Sequence, residues 1–173
     1  MNKLQRISAA ALIAICPFSY AVKSDFSERV VIESERQTID MKSNVVTYIG
    51  DVKVTQGTLQ IFADTLTILN ATEEGQQVLV ANGKPANYSQ ILDNGKAMDA
   101  QALRVRYELG ERILLLTGEA QLTQEDSLVK GDKILYNLEQ QLLEADSKDD
   151  GSARVTTIFI PDQVQEQLDD QKK

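Results

Sequence analysis

Three aspartates recur along the chain and are the first residues to consider for catalytic or metal chemistry. Asp64, Asp99 and Asp132 carry carboxylates that could act in acid–base catalysis or bind a metal ion. They recur with the rhythm of an internal repeat, and two of them directly follow a small residue, as a turn or corner requires. A hydrolase places its pair of catalytic carboxylates once rather than in every repeat. We therefore interpret the three aspartates as structural.

A second acidic segment, 146–151, superficially resembles a calcium-binding loop. Lys148 occupies a ligand position in it, and no glutamate follows at the distance where such loops carry a bidentate ligand. The chain contains no histidine, which excludes a Ser-His-Asp triad and removes the commonest metal ligand. It has no Gly-rich phosphate-binding loop either. The sequence thus predicts a protein that is not an enzyme and that uses neither a cofactor nor a metal site.

The first 21 residues have the features of a secretory signal peptide. Lys3 and Arg6 precede an almost unbroken apolar run from Ile7 to Cys16, and small residues precede a cleavage site after Ala21. The apolar run is well short of the roughly 20 residues that span a bilayer. We expect an exported protein whose mature chain begins at residue 22 and contains no cysteine.

The charge balance is strongly acidic. The whole chain has a net charge of −8, and removal of the predicted signal peptide leaves 16 basic and 26 acidic side chains, a net charge of −10. Nucleic-acid binding depends on clustered Lys and Arg that neutralise phosphates, and the sequence has no such cluster. We therefore expect no nucleic-acid partner.

Between residues 30 and 160, apolar side chains recur with the period of two that is typical of β-strands. Two segments show this most clearly, and in each we expect one set of side chains to face inward: Val46, Tyr48, Val52 and Val54 in the first, and Leu103, Val105, Tyr107 and Leu109 in the second. Turn residues separate further strands, predicted at 30–32, 58–69, 77–81, 86–91, 113–123, 127–138, 141–145 and 154–160. Many short strands with frequent turns predict an all-β fold of the sandwich, jellyroll or barrel type.

An internal repeat underlies these strands. Gly50, Gly83, Gly118 and Gly151 stand 33, 35 and 33 residues apart, and a shift of 68 residues aligns the segment 44–64 with 112–132. Such spacing predicts strand pairs stacked along an axis, with an open edge at each end. We interpret the glycines as bulges or bends that curve the sheet around a trough lined by its inward-facing side chains.

Several sequence blocks occur together in the order that characterises one family. They include VVTYIGDVKVTQG at 45–57, DNGK at 93–96, YEL at 107–109, KGDKI at 130–134 and RVTT at 154–157. On these blocks the chain resembles the OstA-like family of LptA-type proteins, the periplasmic bridges of lipopolysaccharide transport. The resemblance covers nearly the whole of the predicted mature chain.

This resemblance implies an open, twisted antiparallel β-jellyroll in the periplasm, built from repeated strand pairs over residues 22–162. We expect the polar segment 163–173 to be a flexible tail. The resemblance further implies that the apolar interior shelters the acyl chains of lipid A while the sugars project outward. It implies an LptC-like inner-membrane anchored partner at the N-terminal edge, an LptD-like outer-membrane translocon at the C-terminal edge, and head-to-tail homo-oligomers.

The resemblance and the alternation together indicate the positions that line the lipid-binding groove: Val30, Ile32, Val46, Tyr48, Val52, Ile61, Tyr88, Leu103, Val105, Tyr107, Leu114 and Leu116. Plain core packing is the alternative for each position. Two other functions stay open: a structural adaptor that joins envelope partners through its strand edges, and a polysaccharide-modifying enzyme on a β-solenoid.

The inward face discriminates between these functions. A continuous apolar slot favours lipid carriage, close-packed facing side chains favour the structural role, and clustered unpaired carboxylates favour the enzyme. The acidic mature chain adds a constraint, because lipid A carries anionic phosphates. Contacts with the lipid must then rest on apolar burial or on bridging divalent cations.

Overall fold

The structure, a computed structural model, describes Asp25, residues 28–148, Gly151 and residues 153–159. The predicted signal peptide at 1–21 and the predicted tail at 163–173 lie outside the described residues. Within the described part, no helix has the length and apolar character that a membrane span requires.

In the described part of the chain, ten strands, all paired in antiparallel fashion, form one sheet. They are β1 (Val31–Glu33), β2 (Arg36–Asp40), β3 (Val45–Gln56), β4 (Leu59–Leu69), β5 (Val78–Ile91), β6 (Ala97–Glu108), β7 (Ile113–Gln124), β8 (Ser127–Asn137), β9 (Leu142–Asp146) and β10 (Thr156–Ile158). The order is β1-β3-β4-β5-β6-β7-β8-β10, with β2 also pairing with β3 and β9 with β8. The predicted all-β class and the open antiparallel sheet are confirmed.

Each long strand has an irregularity near its middle. The strand pairing shifts register between Ile49 and Val52 in β3, and at matching points in the pairs that β4 to β8 form. Gly50 and Gly118 lie at two of these points with φ angles of 84° and 78°, in the left-handed region that glycine tolerates best. The interpretation as bulges or bends that curve the sheet is confirmed for Gly50, Gly118 and Gly83, which lies in the bend of β5, but it is wrong for Gly151, which lies outside the strands.

The bends fold the sheet back on itself. Tyr88 in β5 pairs with Ala100 in β6, and Tyr107 lies seven residues further along β6. A straight strand would separate these positions by about 23 Å, since each residue adds about 3.3 Å. The ring centroids of Tyr88 and Tyr107 are only 5.8 Å apart. The two halves of the sheet therefore face each other across the interior.

We call the two halves wall A and wall B. Wall A comprises β1, residues 52–56, 59–62, 86–91, 97–101, 120–124 and 127–131, and β10; wall B comprises β2, residues 45–49, 65–69, 78–82, 104–108, 113–117 and 133–137, and β9. The hairpin turns at the free end of each wall form its lip. The lip of wall A has the turns at 57–58, 92–96 and 125–126, and the lip of wall B has those at 41–44, 70–77, 109–112 and 138–141. The line along which the lips meet is the seam.

The internal repeat of 68 residues is visible in the backbone. Asn44 and Arg112 both have a φ angle of 55°, and Asp51 and Glu119, which follow the two bulge glycines, have φ angles of 41° and 53°. These are equivalent positions in the alignment of 44–64 with 112–132. The repeat therefore specifies the same turn and the same bend in β3 and β7.

Three strand predictions differ from the structure. The strand predicted from Leu103 to Leu109 covers only the second half of β6, which begins at Ala97. The segment 82–85 was expected to be a turn between two strands, but it is a bend within the single strand β5. The strand β2 was not predicted, because its residues are mostly polar and all five are exposed. It is held by backbone pairing with β3 instead of by a buried apolar face.

The predicted inward position of Leu103 is wrong. Between Gln101 and Arg104 the bend in β6 shifts the alternation by one residue, so that Ala102 is fully buried and Leu103 is 44% exposed. The Leu103 side chain lies beside Gly118, where a Cβ atom would come within 3.0 Å of Leu103 Cδ1. Leu103 thus covers the outside of the bend instead of lining the interior.

Two of the three recurrent aspartates stand in bends, as the structural interpretation expects. Asp64 lies where the pairing of β4 shifts register, and Asp132 lies at the bend of β8. Asp99 is an exposed residue within a regular part of wall A. Among the described residues, no group of three or more His, Cys, Asp or Glu side chains is placed to hold a metal ion.

Candidate functional site

The candidate site is the apolar interior between the walls. On wall B, inward side chains line up across the strands in pairing order, and the row comprises Tyr48, Leu66, Ala81, Val105, Leu116 and Ile134. The corresponding row on wall A comprises Val54, Ile61, Tyr88, Ala100, Leu122 and Val129. Both rows cross from β3 to β8, so the interior is apolar over the full width of the long strands.

Most of the predicted groove positions face this interior. Fully buried are Val52, Ile61, Tyr88, Val105, Tyr107, Leu114 and Leu116. Partly buried are Ile32, Val46 and Tyr48, of which Ile32 and Tyr48 pack against the core. The structure leaves two predicted positions exposed: Leu103, for the reason given above, and Val30, which precedes the edge strand β1 and is 43% exposed.

In the conformation described, the facing side chains of the two walls are in contact. The rings of Tyr88 and Tyr107 meet edge to face at an interplanar angle of 70°. Such contacts are what the structural alternative expects, whereas lipid carriage requires room for hydrocarbon. Where these two rings meet, a lipid chain can enter only if the walls move apart.

A polar network secures the chain at the lip of wall A. The carboxylate of Asp25 accepts hydrogen bonds from the backbone N–H of Thr58 at 2.7 Å, from the Thr58 hydroxyl at 2.5 Å and from Gln90 Nε2 at 3.0 Å. The Tyr88 hydroxyl in turn donates to Gln90 Oε1 at 2.6 Å. Asp25 and Gln90 are both buried, so the network fixes Asp25 across the ends of β3, β4 and β5.

Sequence reasoning missed this network. Asp25 gives no signal, because it stands in a short segment without periodicity. Gln90 gives a usable one, since it occupies an inward position in the alternation Tyr88, Gln90, Leu92. A polar residue at an inward position of a strand requires a buried hydrogen-bond partner.

An ion pair crosses the seam. Arg112 Nη2 in the lip of wall B lies 3.1 Å from Asp93 Oδ2 in the lip of wall A. Next to this pair is a cavity of about 110 Å³, lined by Gln90, Leu92, Asp93, Arg112, Leu138, Glu139 and Gln141. Residues of both lips therefore line the cavity, which lies at the entrance to the interior.

Two tyrosines behind the seam share its electrostatic environment. Burial is the main cause that raises the pKa of Tyr88 and of Tyr107. Asp25 raises both pKa values further, and Arg112 acts in the opposite direction. The Tyr107 hydroxyl is buried and has no hydrogen-bond partner among the described residues. Both phenols are therefore neutral at physiological pH.

Comparison with known proteins agrees with this architecture. The family model described as "LptA/(LptD N-terminal domain) LPS transport protein" matches residues 31–142. The chain belongs to this family. It is 42% identical over 164 residues to the lipopolysaccharide export system protein LptA of Escherichia coli K12, covering 94% of this chain and 88% of that protein. It is 36% identical over 159 residues to LptA of Haemophilus influenzae KW20, covering 91% of each chain.

A solved structure in the family has the same fold. The crystal structure of LptH of Pseudomonas aeruginosa, described as the LptA homologous periplasmic component of a lipopolysaccharide transport device, superposes with a TM-score of 0.71 at 27% identity. The match covers 80% of this chain and 100% of LptH. The open antiparallel β-jellyroll that the sequence resemblance implied is thereby confirmed.

Proposed function

We propose that this protein carries lipopolysaccharide through the periplasm. It holds the acyl chains of lipid A between walls A and B, while the sugars of the same lipid project outward through the seam. The observation that carries the proposal is 42% identity, over 94% of the chain, to a lipopolysaccharide export protein. An apolar interior that crosses all the long strands supports it. The role is one of binding and transfer, with no catalytic step.

The physics of such carriage is apolar burial. Each buried methylene contributes about 0.8 kcal/mol, so an acyl chain that buries about ten methylenes gains about 8 kcal/mol. Part of this gain is offset, because the chain replaces contacts that side chains such as Tyr88 and Tyr107 already make. The net affinity is then moderate, which suits a protein that must also release its lipid. The direction of movement must come from an energy source outside this chain.

The two edges of the sheet are the proposed partner surfaces. At one edge, all five residues of β2 are exposed, and at the other all three residues of β10 are exposed. An unpaired strand edge can accept a strand from another protein by β-augmentation. We assign an LptC-like inner-membrane partner to the edge with β1 and β2 and an LptD-like outer-membrane partner to the edge with β9 and β10. The same edges would join copies of this chain head to tail.

Photo-crosslinking in growing cells tests the carriage. A photoreactive residue at Ile32 or Tyr107, which face the interior, should trap lipopolysaccharide. The matched control is Gln60, which is exposed and adjacent in sequence to the buried Ile61. Equal labelling at Gln60 and Tyr107, or none at either inward position, would contradict the proposal.

The structural adaptor is the second candidate, and the contact between Tyr88 and Tyr107 favours it. On that account the interior is a permanent dry core and only the edges have a function. Native mass spectrometry of the mature protein purified from cells discriminates the two: co-bound lipid supports carriage, and a lipid-free protein that still captures both edge partners supports the adaptor.

A further inference from the structure

We propose that Arg112 binds a phosphate group of the bound lipid. When no lipid is present, the carboxylate of Asp93 takes the place of this phosphate in an ion pair with Arg112. The inference rests on the proposed function, because it places the anionic head of the same amphiphile whose chains lie between the walls. It identifies the group that lets an acidic protein accept an anionic lipid.

The position of Arg112 supports this proposal. It lies at the seam, where the head of an amphiphile must stand if its chains enter the interior. The adjoining cavity has an apolar part, formed by Leu92 and Leu138, and a polar part that includes Gln90. Among the described residues that line it, Arg112 is the one cation. A guanidinium binds phosphate through paired hydrogen bonds, which fits it for this task.

Asp93 is placed so that it can leave the ion pair with Arg112 easily. Its side chain is 64% exposed, whereas that of Arg112 is 26% exposed. Asp93 also stands in the exposed part of the turn 92–96, residues 93–95, so that its carboxylate can turn into water when a phosphate arrives. Because most of the Asp93 side chain lies in water, its bond to Arg112 contributes little to stability, and its exchange for another anion costs little.

The hydroxyl of Tyr107, which lies behind the seam, also supports the proposal. It is buried without a hydrogen-bond partner among the described residues, and a buried hydroxyl is normally paired. A lipid whose phosphate is bound at Arg112 would bring its ester and amide groups next to the entrance of the interior. Those groups could pair with this hydroxyl. Glu139 also lines the cavity and opposes an anion, so we expect a site of modest affinity.

The test compares lipids with and without phosphate. The probes are a hexa-acylated glucosamine disaccharide with two phosphates, the same lipid after enzymatic removal of both phosphates, and inorganic phosphate. Arg112→Asn is the main variant, because Asn44 adopts the same φ of 55° at the equivalent turn and the backbone should be preserved. Arg106→Asn is the control, since Arg106 forms an ion pair of 2.9 Å with Glu108 on the outer face of wall B.

We expect Arg112→Asn to weaken binding of the phosphorylated lipid by about tenfold and to leave binding of the dephosphorylated lipid unchanged. Asp93→Asn should strengthen binding of the phosphorylated lipid alone, by about threefold, because it removes the competing carboxylate. Arg106→Asn should change neither. Thermal unfolding of each variant checks that it is folded.

Three results would overturn the inference while leaving the proposed function intact. One is equal binding of the two lipids by both the wild type and Arg112→Asn. Another is an Asp93→Asn variant that binds both lipids more tightly, since the ion pair would then only hold the seam shut. The last is inorganic phosphate that binds through Arg112 without any preference for the phosphorylated lipid. Failure of the wild type to bind either lipid would instead count against the proposed function.

Discussion

The hydroxyl groups of Tyr88 and Tyr107 should have opposite effects on stability, although the two rings are in contact. The Tyr107 hydroxyl is buried without a partner among the described residues, whereas the Tyr88 hydroxyl donates to Gln90 at 2.6 Å. A buried polar group without a partner costs about 1–3 kcal/mol, and loss of a partner imposes a similar cost on the group left behind. Replacement by phenylalanine removes the same atom at both sites and preserves the ring contact.

We expect Tyr107→Phe to raise the free energy of unfolding by about 1 kcal/mol and Tyr88→Phe to lower it by about 1–2 kcal/mol. For a chain of this size, each kcal/mol corresponds to a change in Tm of about 2–4 °C. Urea denaturation of the mature protein without lipid measures the first quantity, and calorimetry measures the second. A loss of stability in Tyr107→Phe as large as that in Tyr88→Phe would refute the reasoning, because the Tyr107 hydroxyl would then be paired in the folded protein.

Two further predictions concern pH and the bends. Burial raises the pKa of Tyr88 and Tyr107 above the ordinary value of 10.0, so the unfolded chain loses these protons at lower pH than the folded chain does. The free energy of unfolding should therefore be insensitive to these groups below about pH 10. Above that pH it should fall by up to about 1.4 kcal/mol per pH unit for each tyrosine. Urea titrations across that range measure the slope of the free energy against pH, and Tyr88→Phe should make this slope smaller. Gly118→Ala should destabilise the protein by about 1 kcal/mol more than Gly95→Ala does, as measured by urea denaturation. Both glycines have a φ near 80°, but only at Gly118 does the new Cβ meet the side chain of Leu103. Equal losses of stability in the two alanine variants would contradict this prediction, because they would show that the Leu103 side chain moves aside at no cost in free energy.

Much of the sheet could be predicted because alternation and glycine spacing are local signals. In β3 the bulge at Gly50 and Asp51 preserves the alternation, so Val46, Tyr48 and Val52 were correctly placed on one face. In β6 the bend shifts the alternation by one residue, and Leu103 was therefore placed on the wrong side. No residue of the segment 101–104 marks this shift, since it contains no glycine.

The candidate site was predictable only in its apolar part. The inward tyrosines and leucines follow from periodicity, but the contacts across the seam depend on how far the sheet folds back. Asp93 and Arg112 are 19 residues apart and belong to opposite lips, and nothing in the local sequence pairs them. Asp25 and Gln90 are 65 residues apart and meet for the same reason. The contact of Tyr88 with Tyr107 across the interior likewise depends on how the two walls fold together, so the sequence alone does not predict it.

The distance across the seam tests the central claim most directly. Spin labels on cysteines introduced at Asn94 and Glu111, both exposed and on opposite lips, report the separation of the walls by electron paramagnetic resonance. A control pair at Asn94 and Asp126 lies within the lip of wall A. We predict that lipid A lengthens the distance across the seam and leaves the control distance unchanged. Stoichiometric binding of lipid A with no change in the distance across the seam would contradict carriage between the walls.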